Sequence, residues 1–452
     1  MAISGLFEIS RRSLSTYQKA LEVTSNNIAN ANNPYFSRQR VVLGALPPDS
    51  RVGISVGLGV KIEDIQRVRD QINDAQTIKY NQAFSSADKQ SQILSHIESL
   101  FSEPTELGLS GLINDFFNAW EELAVNPAST PLRTNVIQSA EQMSSKIKTL
   151  YEGLDLVRND QKLDAQSMVD DINSYLEEIQ ELNKQIYDAN IKGNGGFDLL
   201  DKRNEALQNL SKLVNVNVSY DDKNMASVSV GGVFAVDRMY ATKFQSSVEN
   251  GKLTILSEDG NAKVKVNGGE LFAITNSYNK LIPDYLSKLD LVSQQIFDNV
   301  NSIHSTGYSN TNPQATGINF FSNYSNGVLE INSEILNDPN RIAVSSDGTS
   351  GNGDLALRLA ELKSTKMLNG LTISENYSDF VSSVANEKVM NDQKASANEL
   401  VLQQLEQQQS EYSGVSIDEE MMDIIKFQRS YDASAKLISI ADDLLQTLLN
   451  MV

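Results

Sequence analysis

Between Ile417 and Val452 every seventh residue is apolar: Ile417, Ile424, Tyr431, Ile438, Leu445 and Val452. A second apolar column, Met421, Phe427, Ala435, Ala441 and Leu448, wanders beside it at spacings of three, four and seven, as expected of a helix packed in a bundle. No proline interrupts the stretch. A helix of this span is roughly 50 Å long at about 1.5 Å per residue and cannot bury its own seam, so it requires a partner. The other end of the chain supplies one. Phe7, Leu14, Leu21 and Ile28 repeat the seven-residue step, with Ile3, Tyr17 and Ala31 in the flanking column. The matched periodicity predicts that the two terminal helices pair as a coiled coil, bringing the chain ends together and carrying the intervening residues as a discontinuous body.

Composition narrows what that body can do. At 452 residues the chain has room for two to four domains. Its hydrophobic fraction of 40% and charged fraction of 21% suit a globular protein. No apolar run approaches the roughly 18 residues of a membrane span, so membrane insertion is not expected. A net charge of −20 argues against nucleic-acid binding, which draws on lysine and arginine to neutralise phosphates. The absence of cysteine excludes disulfides, thiolate metal sites and a cysteine nucleophile. The two histidines, His96 and His304, are too far apart in sequence to promise a metal cluster and read as ordinary surface or packing residues. The opening Met1-Ala-Ile-Ser-Gly-Leu-Phe-Glu lacks the basic and apolar regions of a secretory signal, which points to a cytosolic protein or one exported by another route.

Along the chain, the asparagine-rich Thr24–Pro34 stretch should end the first helix near Ala31. One asparagine would suffice for a stop, and several are used. From Ser37 to Val68 apolar residues alternate or fall singly among glycines (Val52, Ile54, Val56, Leu58, Val60, Ile62, Ile65), reading as strand or extended linker. Residues 69–213 read as helix almost throughout, including a span of some 60 residues after Pro131 that predicts one helix of roughly 90 Å or two joined end to end. At Val214 the period changes to alternation, punctuated by Asp221-Asp, Gly231-Gly, Asn250-Gly, Asp259-Gly and Asn267-Gly, which predicts hairpins. Helical period returns at Leu281–Ile303 and from about Leu355 onward, with a glycine- and asparagine-rich loop region between. The expected fold is mainly α with an inserted β domain, elongated and multidomain. Residues 1–60 with 405–452 form a terminal-helix domain, 61–213 with 271–404 a long helical-bundle body, and 214–270 a small β domain.

Candidate chemistry is sparse. Gly348-Thr-Ser-Gly-Asn-Gly-Asp354 lacks the order of a P-loop or a dinucleotide motif, and Asp347 and Asp354 lack the order of an EF-hand, so a flexible turn is the favoured reading. The pairs Glu177-Glu178 and Glu419-Glu420 read as solvated helix faces, because adjacent helical carboxylates point to different sides. His304, closing a helix near Gly307, reads as a C-terminal cap. No catalytic, cofactor or metal residue is assigned, and the chain is not expected to be an enzyme.

Ser25-Asn-Asn-Ile-Ala-Asn-Ala-Asn-Asn-Pro-Tyr-Phe-Ser-Arg-Gln-Arg-Val41 resembles the N-terminal signature of the bacterial flagellar axial proteins (rod, hook and hook-associated). The Ser-Arg-Gln ending is similar to the hook-associated branch. Tyr35 stands where the family usually has glycine, whose freedom at positive φ tyrosine does not share. Ser413-Gly-Val-Ser-Ile-Asp-Glu-Glu-Met421 and the run from Phe427 to Leu449 are similar to the shared axial C-terminus. Asp198-Leu-Leu-Asp-Lys-Arg-Asn-Glu205, Gly268-Gly-Glu-Leu271 leading into Ile282-Pro-Asp-Tyr-Leu-Ser-Lys-Leu-Asp290, and Asn301-Ser-Ile-His-Ser-Thr-Gly-Tyr308 resemble junction members of that branch.

The resemblance implies a structural subunit joining hook to filament. Its terminal helices would line a tubular assembly, with Phe7, Leu14, Leu21, Ile28, Ile417, Ile424, Tyr431, Ile438, Leu445 and Val452 as the assembly interface and the β domain outermost. Implied partners are further copies of the chain in a tubular ring, the hook protein, a second junction protein, and a flagellar export chaperone at the C-terminal helix. Export would run through the flagellar type III channel, without a cleaved signal peptide, to the flagellum outside the cell. Alternatives are a hook or rod subunit, a non-flagellar coiled-coil scaffold with a β recognition module, and, third, an enzyme that binds through the β insertion.

Overall fold

The computed structural model describes residues 2–47, 57–102, 108–193, 195–367 and 370–450. Val52, Ile54, Val56 and Val452 lie outside these described residues, as do the side chains of Ile3 and Leu448.

Helix α4 runs unbroken from Thr130 to Ile191, so the long helical span is one helix and not two. Ser129 starts it by accepting from the Leu132 N–H, with Pro131 in the first turn, where a missing amide proton costs nothing. From Val136 through Ile147, Leu154, Val157, Ile172 and Ile179 to Ile186, a buried residue recurs every three or four positions. Burying each such aliphatic side chain contributes about 1.5–3 kcal/mol, which makes this stripe the spine of the core. Against it pack α2 (Gln71–Phe101), α3 (Leu109–Val125), α5 (Phe197–Leu213) and α7 (Ile282–His304). Gly153 permits the close approach of α2, since a Cβ there would stand 3.2 Å from both δ-carbons of Leu100. α6 (Glu270–Asn276) runs into α7 through a single wide turn at Ser277–Leu281, so helix begins before the predicted Leu281. α8 (Ser333–Asn337) and α9 (Asp354–Ala360) are short. α10 (Ile373–Ser413) lies along α2 and opens with a capping box between Thr372 and Glu375.

All strand pairs are antiparallel. β1 (Gln39–Ala45) pairs with β2 (Val60–Arg67). Between α5 and α6 the chain makes a four-stranded sheet of β3 (Val216–Tyr220), β4 (Ala226–Val230), β5 (Val233–Asp237) and β6 (Tyr240–Ala241). A three-stranded sheet of β7 (Phe244–Glu249), β8 (Lys252–Ser257) and β9 (Lys263–Val264) follows. The β7–β8 turn is Asn250-Gly251 with φ of 50° and 74°, the mirror-image turn that matches strand twist. This strand segment begins and ends at one place, because a Cβ on Gly269 would stand 2.4 Å from the Val214 nitrogen. Its buried Val216, Val228, Val236, Phe244 and Ile255 belong to the same continuous core as the helices. The region after α7, expected to be loop, contains the hairpin β10 (Phe321–Ser325) and β11 (Val328–Ile331) as well as α8. Its strands are too short and polar to announce themselves by alternation.

A recurring device hangs strands on helices. Five helical asparagines each form a two-bond ring with one strand residue, the amide nitrogen donating to its C=O and the amide oxygen accepting its N–H. The pairs are Asn27 with Gln39, Asn173 with Phe244, Asn183 with Ala226, Asn279 with Leu253, and Asn301 with Phe321, at 2.7–3.0 Å. Each ring satisfies backbone groups that the sheet leaves without a ladder partner.

Candidate assembly interface

α1 (Ala2–Ala29) and α11 (Ile417–Leu449) form an antiparallel pair. Its direction follows from Asn27, near the end of α1, bonding Glu420 at the start of α11, and from the Tyr17 and Phe427 rings lying 6.4 Å apart. The buried line on α11 is Glu420, Phe427, Ser434 and Ala441, again every seventh residue, but offset by three from the column starting at Ile417. On α1 the buried residues are Ser10, Thr16, Ala20, Val23, Thr24 and Asn27. Small side chains let the two helices approach closely. Their hydroxyls turn back onto their own helix, Ser10 to Leu6 C=O at 2.9 Å, Thr24 to Ala20 C=O at 3.1 Å and Ser434 to Ser430 C=O at 2.8 Å, and so need no water.

Phe427 and Ala441 of the second predicted column lie in this seam, whereas the seven-residue columns starting at Phe7 and Ile417 flank it. Leu14, Leu21, Ile28, Ile424, Tyr431 and Ile438 are half-buried, and Phe7, Ile417 and Leu445 are exposed. Val452 lies outside the described residues. Met421, Met422, Ile425, Leu437, Ile440, Leu444 and Leu449 are exposed as well. The pair alone therefore leaves a large apolar surface in water, the mark of a surface built for partners.

Below the helix pair, Ser37-Arg38-Gln39 is a hub that joins α1, α5, α10 and α11. Gln39 is held by Asn27 of α1. Arg38 donates to Glu420 at 2.7 Å and Glu419 at 2.7 Å, both on α11, and its backbone N–H bonds Ser413 C=O at 3.0 Å. Burial alone would lower the Arg38 pKa, but the two carboxylates outweigh it and hold it above the ordinary value. Ser37 donates through N–H and Oγ to Asp201 of α5, which also binds Arg67 at 2.8 Å. Three motifs distant in sequence thus meet at one joint. Glu419 is exposed as expected, but Glu420 is 2% exposed, so the solvated reading is wrong for that residue: a buried carboxylate is stable here because Asn27 and Arg38 satisfy it. Three more asparagines of the signature are also engaged, Asn30 with Asn26 at 2.9 Å and Asn33 with the Tyr35 N–H at 3.1 Å, while Asn32 is exposed. Tyr35 keeps a negative φ, so the turn does without the family's glycine.

The other candidates are structural. His304 is wholly buried, its Nε2 accepting the Ala343 N–H at 2.9 Å and its Nδ1–H donating to Ile318 C=O at 2.8 Å. It is an internal peg for the loop region beside Trp120 and Phe320, and not the helix cap that its position suggested. Burial holds it neutral, lowering its pKa to about 4. Asp347 accepts from Thr349 N–H, Asn352 and Ser345, which keeps its carboxyl well below the usual range and occupies it within its own turn. Glu177 pairs with Lys243 at 2.6 Å, with both side chains about half exposed.

Residues 94–321 match the family described as "Flagellar hook-associated protein FlgK helical domain". Residues 7–34 match "Flagella basal body rod protein", and residues 406–451 match "Flagellar basal body rod FlgEFG protein C-terminal". The chain is 27% identical to "Flagellar hook-associated protein 1" of Bacillus subtilis across 98% of this chain and 97% of that protein. To the protein of the same description in Salmonella typhimurium it is 23% identical across 99% of this chain and 100% of that protein. In fold it is similar to a solved structure described as "the flagellar hook junction protein FlgK from Burkholderia pseudomallei", with a TM-score of 0.64 at 14% identity, covering 76% of this chain and 100% of that one.

Proposed function

Because the chain belongs to the flagellar hook-associated protein FlgK family, we propose that it is a structural subunit joining hook to filament, polymerising into the tubular junction zone of a bacterial flagellum. The observation that carries this reading is the apolar surface left open by the terminal helix pair. Phe7, Leu14, Leu21 and Ile28 on α1, and Ile417, Ile424, Tyr431, Ile438 and Leu445 on α11, lie outside the buried seam, and neighbouring helix pairs in a tube would cover them. In sequence the column continues to Val452, which lies outside the described residues.

The functional division is residues 1–60 with 405–452 as the inner domain, 61–213 with 271–404 as the body, and 214–270 as the outward β domain. Partners are further copies of the chain, the hook protein, the second junction protein and an export chaperone at the C-terminal helix. Export through the flagellar channel carries the subunit outside the cell, and its role is structural and not catalytic. The test is an epitope at the exposed Asn250-Gly251 turn, imaged on purified hook–basal bodies. Label confined to the distal end of the hook is expected. Label along the hook or on the rod would overturn this reading in favour of a hook or rod subunit, to which the rod-protein matches at both ends also point.

A further inference from the structure

Arg67 at the end of β2, Arg69, Lys79 on α2 and Arg203 on α5 line a cleft of about 530 Å³, with Asn217, Tyr220 and Asn224 on its far wall. One carboxylate, Asp74, lines it with them, and Asp201 stands behind, bonded to Arg67 at 2.8 Å. Four cations against two carboxylates leave an excess of two positive charges, in a chain whose net charge is −20. Both carboxylates are already engaged, Asp74 by Arg69 and Asn204, and Asp201 by Arg67 and Ser37.

Arg203 has no acidic partner. Its Nη1 donates to Asn183 Oδ1 at 3.1 Å and Asn224 C=O at 2.5 Å, its Nε bonds nothing, and Tyr220 lies over it at 5.0 Å, with only 2% of the residue exposed. Asp221 acts on it only at a distance and is itself paired with Arg238, so a buried cation whose hydrogen bonds all go to neutral groups favours a further anion that can come near. Lys79 on the rim is exposed and makes no ion pair among the described residues. Arg133 shows the closed alternative: equally buried, it spends its guanidinium on the carbonyls of Pro127 and Ile342.

We propose that this cleft binds a carboxylate, with Lys79 and Arg203 as its counter-charges and the amides of Asn217 and Asn224 as donors. The carboxylate comes either from a small polycarboxylate in solution or from an acidic side chain of a second copy of this chain. The chemistry of the cleft does not depend on the junction role.

The experiment uses the full chain, with citrate as the probe against sodium chloride at matched ionic strength. Two variants alter only exposed positions: Lys79→Glu, and Asn217→Asp, which places a competing carboxylate in the cleft. Citrate should raise the thermal midpoint in proportion to the logarithm of its concentration, and either variant should weaken its binding roughly tenfold. Sedimentation of the same proteins separates the sources. Self-association that citrate and both variants abolish assigns the carboxylate to a second copy, whereas a citrate response without self-association assigns it to a free anion. A citrate response equal in wild type and both variants, or no response together with self-association that the variants leave untouched, overturns the proposal.

Discussion

Replacing Asn183 with leucine exchanges the side-chain amide for two methyl groups on a side chain of the same branching and heavy-atom count. Asn183 is wholly buried on α4 and uses every hydrogen-bonding position it has. Its Nδ2 donates to Ala226 C=O at 2.8 Å and Arg238 C=O at 2.7 Å, and its Oδ1 accepts from Ala226 N–H at 3.0 Å and Arg203 Nη1 at 3.1 Å. Losing four bonds at about 1 kcal/mol net each costs ~4 kcal/mol, rising to ~6 because one partner is a charged guanidinium. Burial of the leucine returns about 2 kcal/mol, leaving an expected loss of ~2–4 kcal/mol out of a typical total of 5–15. Asn183→Ala lacks that return and should cost more, ~4–6 kcal/mol. The assay is urea unfolding followed by the fluorescence of Trp120, the single tryptophan, which is buried in the shared core. A leucine variant losing under ~1 kcal/mol with an unchanged denaturant slope would mean that other groups take over the amide's bonds, and that the clamp does not hold the sheet to α4.

His304 should make stability depend on acid. With a folded value of about 4 against an ordinary 6.5, the unfolded chain binds this proton first as pH falls. The contribution of His304 is therefore complete above pH 6.5 and is lost progressively toward pH 4, by up to about 3 kcal/mol. His304→Gln should flatten the urea midpoint over that window, and equal slopes in both proteins would refute the assignment. Ile438→Asp puts a carboxylate in the half-buried column beside the seam; the Trp120 unfolding midpoint should stay within ~0.5 kcal/mol of wild type while incorporation into the junction is lost, and normal incorporation would show that no neighbour covers this column. Replacing Val216–Gly268 with a short Gly/Ser linker is sterically easy, because Val214 and Gly269 touch. It also strips the strands from the stretch of α4 that carries Leu176 and Ile179, so the product should keep its helical circular dichroism but self-associate; a monomeric product would mean that the strands cover little of α4.

The elements legible in the sequence were those whose pattern repeats. The stripe of α4 is legible because steps of three and four persist for some fifty residues, and the Asn250-Gly251 turn because only that backbone geometry joins two twisted strands so tightly. The pairing of the terminal helices is legible for the same reason, but its seam only in part: Phe427 and Ala441 of the second apolar column lie in it, and Glu420 and Ser434 do not stand out by hydrophobicity. Periodicity weighs the largest apolar residues, Ile417 to Leu445, whereas close approach selects the small ones, Ala20, Ser434 and Ala441. The joint was legible only as a motif. Nothing in Ser37-Arg38-Gln39 shows that its three residues reach four different helices, because Asp201, Ser413 and Glu420 come from remote parts of the chain. Buried Glu420 and His304 were read as surface and cap for the same reason: a polar residue's burial depends on partners that local sequence does not contain.

The helical asparagines have a bearing on crowding. A strand at the margin of a sheet offers its free N–H and C=O as a template on which a foreign strand can grow. At Phe244, on the outer strand of its sheet, and at Gln39 and Phe321, each in a two-stranded hairpin, an asparagine occupies one such slot with a side chain that cannot extend a ladder. Copies standing shoulder to shoulder in a polymer meet at concentrations where edge-to-edge sheet addition would compete with ordered assembly. Plugged at these positions, the sheets offer fewer places for a foreign strand to join.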